Sequence, residues 1–324
     1  MTIKKTKIAI IGCGLVGSST AFSILTQGLC DELVMVDINN EKSYGESMDL
    51  SDGIEYLNLN VKVKNGSYED CSDANIVVIT AGPPPKANQT RLDMMGITQK
   101  ITKSIVDPIM AAGFDGIFLV VSNPVDVIAY YVWKLSGLPS NQVIGTGTAL
   151  DSARLKSVIG SAVGTDPRSV HAFSMGEHGD SQMVPWSTVT VGGKNLLDVE
   201  SDNPQLVSQL KKDYLSEFTA KRGFEILRRK GTTCYGIAST VSAIVKAILN
   251  DEHKVIPVST YLNGEFGESD VFAGVPAILN NSGVADLLTI HLTDDEKQRF
   301  SKSVGVIKEY TQAIMKIDRE SNQE

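Results

Sequence analysis

The chain has 324 residues, 42% hydrophobic and 21% charged, which is the composition of a folded globular protein with room for two domains. Its net charge of −8 excludes the basic face that a nucleic-acid partner would require. No apolar run reaches the ~20 residues of a membrane span, and the stretch before Ile8 is too short and polar for a secretory leader. A cytoplasmic protein is expected. The four cysteines (Cys13, Cys30, Cys71, Cys234) form no CxxC pair and no pattern with histidine, so reduced thiols are expected and no metal site.

In chain order, residues 7–11 (KIAII) read as a buried strand, followed by a glycine turn and a helix to about residue 28. A second strand over 33–36 ends at Asp37, and a third over 76–80 (IVVIT) ends at Ala81-Gly82. The proline-rich polar stretch 83–93 then reads as a mobile lid. A strand over 117–121 ends at Ser122-Asn123-Pro124, where a cis Asn123-Pro124 bond is expected, and a short strand at 143–144 runs into Gly145-Thr146-Gly147. Apolar strands alternating with helices predict an α/β fold, a doubly wound parallel sheet with both faces covered. Ligands of such sheets bind beyond the carboxyl ends of the strands.

The second half changes character. Residues 181–193 carry β-branched alternation, 206–229 and 236–250 read as helices, and 255–279 read as antiparallel strands. Thr293 and Glu296 have capping-box spacing at the start of a last helix. These features predict a Rossmann cofactor domain over 1–147 and a mixed α+β catalytic domain over 148–324, joined without a flexible linker.

Residues 12–17 (GCGLVG) fit GxGxxG, follow a strand and open a helix, and Asp37 ends the next strand twenty residues after Gly17. That context turns a weak motif into a dinucleotide signature. Gly12 permits the turn, Gly14 lets a pyrophosphate approach the backbone, and Gly17 lets helix and strand pack closely. Leu15 and Val16 complete the turn, whose helix N-terminus offers unpaired N–H groups to phosphate. Asp37 suits two ribose hydroxyls and repels a 2′-phosphate, which predicts NAD. Ala81 and Gly82 end a neighbouring strand on the same side. With a cofactor in place, the stretch GEHGDS around His178 points to proton transfer coupled to hydride transfer.

Taken together, GCGLVG, TAGPPPKANQTR, SNPVD, GTGTALDSAR, GEHGDS and KGTTCYGIA resemble the L-lactate/L-malate dehydrogenase family over nearly the whole chain, most of all its bacterial lactate enzymes. The resemblance implies His178 as acid/base and Asp151 as the group that fixes its tautomer. It implies Arg154 as the fork that grips the substrate carboxylate and Arg91 as the lid cation that polarises the substrate carbonyl. It further implies cofactor contacts at Ser122, Asn123 and Ile237, a substrate contact at Asn123, and Thr233 beside the substrate side chain. A homotetramer and a place in glycolysis and fermentation are implied in the same way.

Within that family, specificity follows the residue six positions before the lid arginine. Malate enzymes carry arginine there and typical lactate enzymes glutamine. Here it is Pro85. Proline offers no counter-charge to a second carboxylate, and leaving one buried unpaired costs several kcal/mol, although the adjacent Lys86 compensates in part. The expected substrate is pyruvate, giving L-lactate. The alternative is a longer branched-chain 2-oxo acid, as in L-2-hydroxyisocaproate enzymes. Malate dehydrogenation and a non-catalytic NAD-binding role are less favoured. Many bacterial lactate enzymes bind fructose 1,6-bisphosphate through a histidine and an arginine. His171 matches the histidine, and Lys156 replaces the arginine, so weak or absent activation is expected.

Overall fold

The structure is a computed structural model that describes residues 5–57, 59–82, 91–202 and 212–321. The first half contains strands β1 (Lys7–Ile11), β2 (Glu32–Val36), β3 (Lys62–Asn65), β4 (Ile76–Ile79), β5 (Ile117–Val120) and β6 (Val143–Gly145). Helices α1 (Leu15–Thr26), α2 (Asn40–Asp52), α3 (Arg91–Ala111) and α4 (Val125–Ser136) alternate with them. These strands pair in parallel in the order β6-β5-β4-β1-β2-β3. Chain order reverses between β1 and β4, which opens the crevice where doubly wound sheets bind ligands.

The strands are apolar throughout because both sheet faces are buried, and successive side chains serve opposite layers. Ala9, Ile11, Val34, Val77, Ile79, Phe118 and Val120 join one core with residues of α3 and α4. Ile8, Ile10, Leu33, Ile76, Val78, Ile117 and Leu119 join the other with residues of α1. β3 (KVKN) is the exception and was not anticipated. It is an edge strand with one neighbour and partial exposure, so its lysines carry no buried-strand signal.

The second half adds α5 (Ala149–Val163), β7 (Val170–His171), β8 (Thr190–Val191), β9 (Lys194–Asn195), α6 (Leu196–Asp202), α7 (Lys212–Lys230), α8 (Tyr235–Leu249), β10 (Lys254–Asn263), β11 (Ser269–Asn280), β12 (Gly283–Leu287) and α9 (Asp294–Ser321). The expected alternation over 181–193 becomes strand only at β8. Pro185 has no N–H to give a ladder, and a 3₁₀ turn over Trp186–Thr188 follows it. β10, β11 and β12 extend the main sheet as antiparallel strands, so one nine-stranded sheet runs through both halves of the chain. The junction pairs Ser259 of β10 with Gly145 of β6. Glycines let the strands meet there: a Cβ on Gly145 would lie 2.8 Å from Ser259 Cβ, and one on Gly147 2.3 Å from the Ser259 nitrogen.

Thr293 and Glu296 form the expected capping box. The Thr293 N–H donates to Glu296 Oε2 at 2.9 Å, and the Glu296 N–H donates to Thr293 Oγ1 at 3.3 Å. Among the described residues no helix is long and apolar enough to cross a membrane.

Candidate active site

The glycine turn leaves β1 at the crevice. Gly12 has φ +97°, a left-handed conformation that favours glycine, and a Cβ there would strike the Ala81 backbone nitrogen at 2.7 Å. A Cβ on Gly17 would lie 1.9 Å from the Gly12 carbonyl oxygen, so α1 can approach the turn only because residue 17 has none. Gly14 meets nothing within 4 Å and is exposed, as a surface kept clear for a phosphate should be. Leu15 is exposed and Val16 partly so at the start of α1.

Asp37 ends β2 beside this turn. Its Oδ2 accepts the Cys13 N–H at 2.6 Å, and its Oδ1 accepts the Asn39 N–H at 2.8 Å. Each carboxylate oxygen has a second lone pair for a ribose hydroxyl. Asn39, not Asp37, caps α2 through the Lys42 N–H. The Ser122 hydroxyl donates to the Ala81 carbonyl at 2.5 Å and ties two strand ends together, with Gly82 exposed next to them. Asn123 is exposed at the same end of the sheet and precedes a cis proline, as expected. Ile237 is half-buried on α8, which packs against α1 through Ser242 and Ser23. These residues fit a dinucleotide: an open glycine turn, a helix N-terminus and the Asp37 carboxylate stand together at the ends of β1 and β2.

α5 places Asp151 and Arg154 one turn apart on the same face. Asp151 is buried and accepts from both sides. Its Oδ1 takes a hydrogen bond from Arg154 Nη1 at 3.1 Å, and its Oδ2 lies 2.6 Å from His178 Nδ1. Burial alone would hold His178 neutral, but the charge and hydrogen bond of Asp151 outweigh it and raise the imidazole above its ordinary value of 6.5. Burial likewise pushes Asp151 upward, and His178 with Arg154 more than reverses it, leaving the carboxyl below its usual range. The ring is partly exposed and Nδ1 is engaged, so Nε2 is the nitrogen left to meet a substrate. Arg154 spends one donor on Asp151 and keeps the rest of its fork.

The main chain around His178 is held firmly. Gly176 exchanges hydrogen bonds with Gly274 of β11, at 2.9 Å in each direction. A Cβ on Gly274 would lie 2.6 Å from Thr148 Oγ1, which itself donates to the Ser174 carbonyl. The Glu177 N–H donates to Ser303 Oγ of α9 at 2.9 Å. The His178 N–H donates to Asp126 Oδ2 of α4 at 2.8 Å. Thr148, Gly274, Ser303 and Asp126 all support the site, and the sequence reading gave none of them a role. Asp126, the last residue of SNPVD, and Thr148, within GTGTALDSAR, carried a signal as members of those motifs.

Thr233 is half-buried just before α8. Arg91 opens α3, so the end of the expected lid segment is helical; its side chain, together with Pro85 and Lys86, lies outside the described residues. Lys156 lies on α5, half-buried, with its ammonium 5.8 Å from the Phe173 ring centre. Burial and the nearby Lys254 lower its pKa. His171 is exposed on β7, which packs against α5. Among the described residues no cluster of histidine, cysteine and carboxylate side chains is arranged to hold a metal ion.

Comparison with known proteins agrees with this geometry. Residues 6–145 match the lactate/malate dehydrogenase NAD binding domain, and residues 148–317 match the alpha/beta C-terminal domain of the same family. The chain is 54% identical over 308 residues to L-lactate dehydrogenase 3 of Bacillus cereus, covering 95% of this chain and 98% of that protein. It is 48% identical over 315 residues to L-lactate dehydrogenase 1 of Bifidobacterium longum, covering 97% and 100%. The minor L-lactate dehydrogenase of Enterococcus mundtii, crystallised in a ligand-bound form, superposes with a TM-score of 0.91 at 45% identity, covering 95% of this chain and 98% of that one. The match to both domains of one family, with a relative 54% identical over 95% of the chain, places this chain in the lactate/malate dehydrogenase family.

Proposed function

We propose that the chain is an NAD-dependent L-lactate dehydrogenase that interconverts pyruvate and L-lactate. The observation that carries this reading is the hydrogen-bonded chain from His178 through Asp151 to Arg154 at the cofactor crevice. Reduced nicotinamide, when bound, supplies the hydride. Gly12, Gly14, Leu15, Val16, Gly17 and Asp37 hold the dinucleotide, with Ala81, Gly82, Ser122, Asn123 and Ile237 along its path. Arg154 grips the substrate carboxylate through two parallel N–H bonds and so fixes which face of the ketone is attacked. His178 gives its Nε2 proton to the ketone oxygen, and Asp151 stabilises the imidazolium beforehand. In the oxidative direction His178 takes that proton back. Arg91 polarises the substrate carbonyl and stabilises the negative charge that develops on its oxygen.

Residues 1–147 serve the cofactor and 148–324 the substrate. A cytoplasmic homotetramer at the fermentative end of glycolysis belongs to the same reading, of which the names of the relatives support the lactate chemistry alone. Pro85 favours a monocarboxylic substrate, and it also admits a longer aliphatic side chain, which keeps branched-chain 2-oxo acids as the second reading.

A panel of pyruvate, 2-oxoisocaproate, phenylpyruvate and oxaloacetate with NADH tests the assignment. Pyruvate is expected to give the highest kcat/KM. Each added methylene changes affinity by about 1–3 kcal/mol in an apolar pocket, so 2-oxoisocaproate is expected to follow. Highest efficiency with oxaloacetate would reject the Pro85 argument. Lys156 binds phosphate only as a point charge, so fructose 1,6-bisphosphate is expected to activate weakly or not at all. A large gain in pyruvate affinity on titrating that sugar would overturn this.

A further inference from the structure

Below the His178 main chain lies a carboxylate that the proton relay just described does not use. Asp126 stands in the first turn of α4 and is 3% exposed. One of its oxygens accepts the His178 N–H, and the other, Oδ1, has no hydrogen-bond partner among the described residues. The Ser259 hydroxyl of β10 adjoins the same carboxyl and is also without a partner of good geometry.

Holding one backbone N–H does not call for a charge. An asparagine oxygen would accept the same bond without the several kcal/mol that burying an anion costs. The charge therefore needs another reason, and the groups around it supply one. The titratable groups acting on Asp126 are His178 and Glu177. Those acting on His178 are Asp151, Asp126 and Arg154. Two buried carboxylates thus share one imidazole, Asp151 at the ring and Asp126 at the main chain, and among the described residues the cation acting on it is Arg154.

We propose that Asp126 is a positioning residue for the proton relay: it clamps the His178 main chain beneath Asp151, and its negative charge keeps the imidazole protonated. The proposal rests on the reading of His178 as the proton carrier. Burial pushes the Asp126 carboxyl up to about 6, while the Ser259 hydroxyl, the His178 N–H and the His178 charge pull it back. Above that value the carboxyl is ionised and supports the imidazolium. As the pH falls through it the support fades, where His178 is protonated without help.

Asp126→Asn keeps an acceptor for the N–H and removes the charge. Two readouts on the full-length variant test the idea. Histidine NMR follows the imidazole directly, with His178→Asn assigning its signal among the four histidines. The expected result is a fall of about 1 unit in the His178 pKa. In pyruvate reduction, the alkaline limb of kcat/KM is expected to move to lower pH by the same amount, with kcat restored in acid. Asp126→Ala loses the acceptor as well, and its kcat is expected to stay depressed at every pH. Ser259→Ala, a milder change at the same carboxyl, is expected to lower the His178 pKa by less, and it serves if the asparagine variant does not fold. An imidazole titration unmoved by either folded variant overturns the proposal. If the imidazole shifts but neither parent nor variant reduces a 2-oxo acid, the proposed function fails and the role of Asp126 stands.

Discussion

His178→Gln is expected to lower kcat/KM for pyruvate reduction by about 10²–10⁴-fold, with NADH binding nearly unchanged. Glutamine can still hydrogen bond but carries no proton that titrates near neutrality. The pH profile adds a second signature. Reduction needs the imidazolium, so parental kcat/KM falls as pH rises through the His178 pKa. Asp151 holds that pKa above the ordinary 6.5, which extends reductive activity to higher pH than a free imidazole would allow. Lactate oxidation needs the neutral ring and shows the opposite slope. In the glutamine variant both limbs flatten. Steady-state kinetics in both directions check this, and a variant that keeps the parental limb would show that another group titrates.

The second large effect is expected from Arg154→Leu. The guanidinium is mostly shielded from water, so its carboxylate contacts are screened little. Losing one partner of such a pair costs about 2–5 kcal/mol, which corresponds to a drop of ~10²–10³-fold in kcat/KM near the middle of that range. Arg154→Lys is expected to recover part of the loss, because it restores charge but not the two-pronged geometry. Arg154 also lowers the His178 pKa by its charge. Its removal therefore shifts the alkaline limb to higher pH, opposite to Asp126→Asn. Kinetics of the two variants across pH separate grip from tuning. A leucine variant with parental KM and kcat would remove Arg154 from the substrate site.

Much of this was legible in the residues. The glycine turn and Asp37 are local: Gly17 answers a backbone contact within the turn, Gly12 one to the end of β4, and Gly14 lies open, so spacing alone exposes them. Asp151 and Arg154 are one helical turn apart, and their shared face follows from periodicity. That His178 meets Asp151 was legible only through the family's motif order, since 27 residues separate them. Other features required the fold. β3 is polar because it is an edge, and no buried-strand pattern marks it. The continuation of the sheet into β10 depends on Gly145 and Gly147 letting Ser259 approach, a contact across more than a hundred residues. Asp126 reads as an ordinary first-turn carboxylate until α4 is seen to point it at the His178 N–H.

In the proposed mechanism His178 delivers the proton while Arg154 holds the acid end of the same substrate. A crystal structure of the full chain with NADH and oxamate, an unreactive isostere of pyruvate, tests it most directly. His178 Nε2 is expected within ~2.6–3.2 Å of the oxamate carbonyl oxygen, with two Arg154 N–H groups on its carboxylate. A carboxylate held elsewhere, or an imidazole turned away from that oxygen, would contradict it.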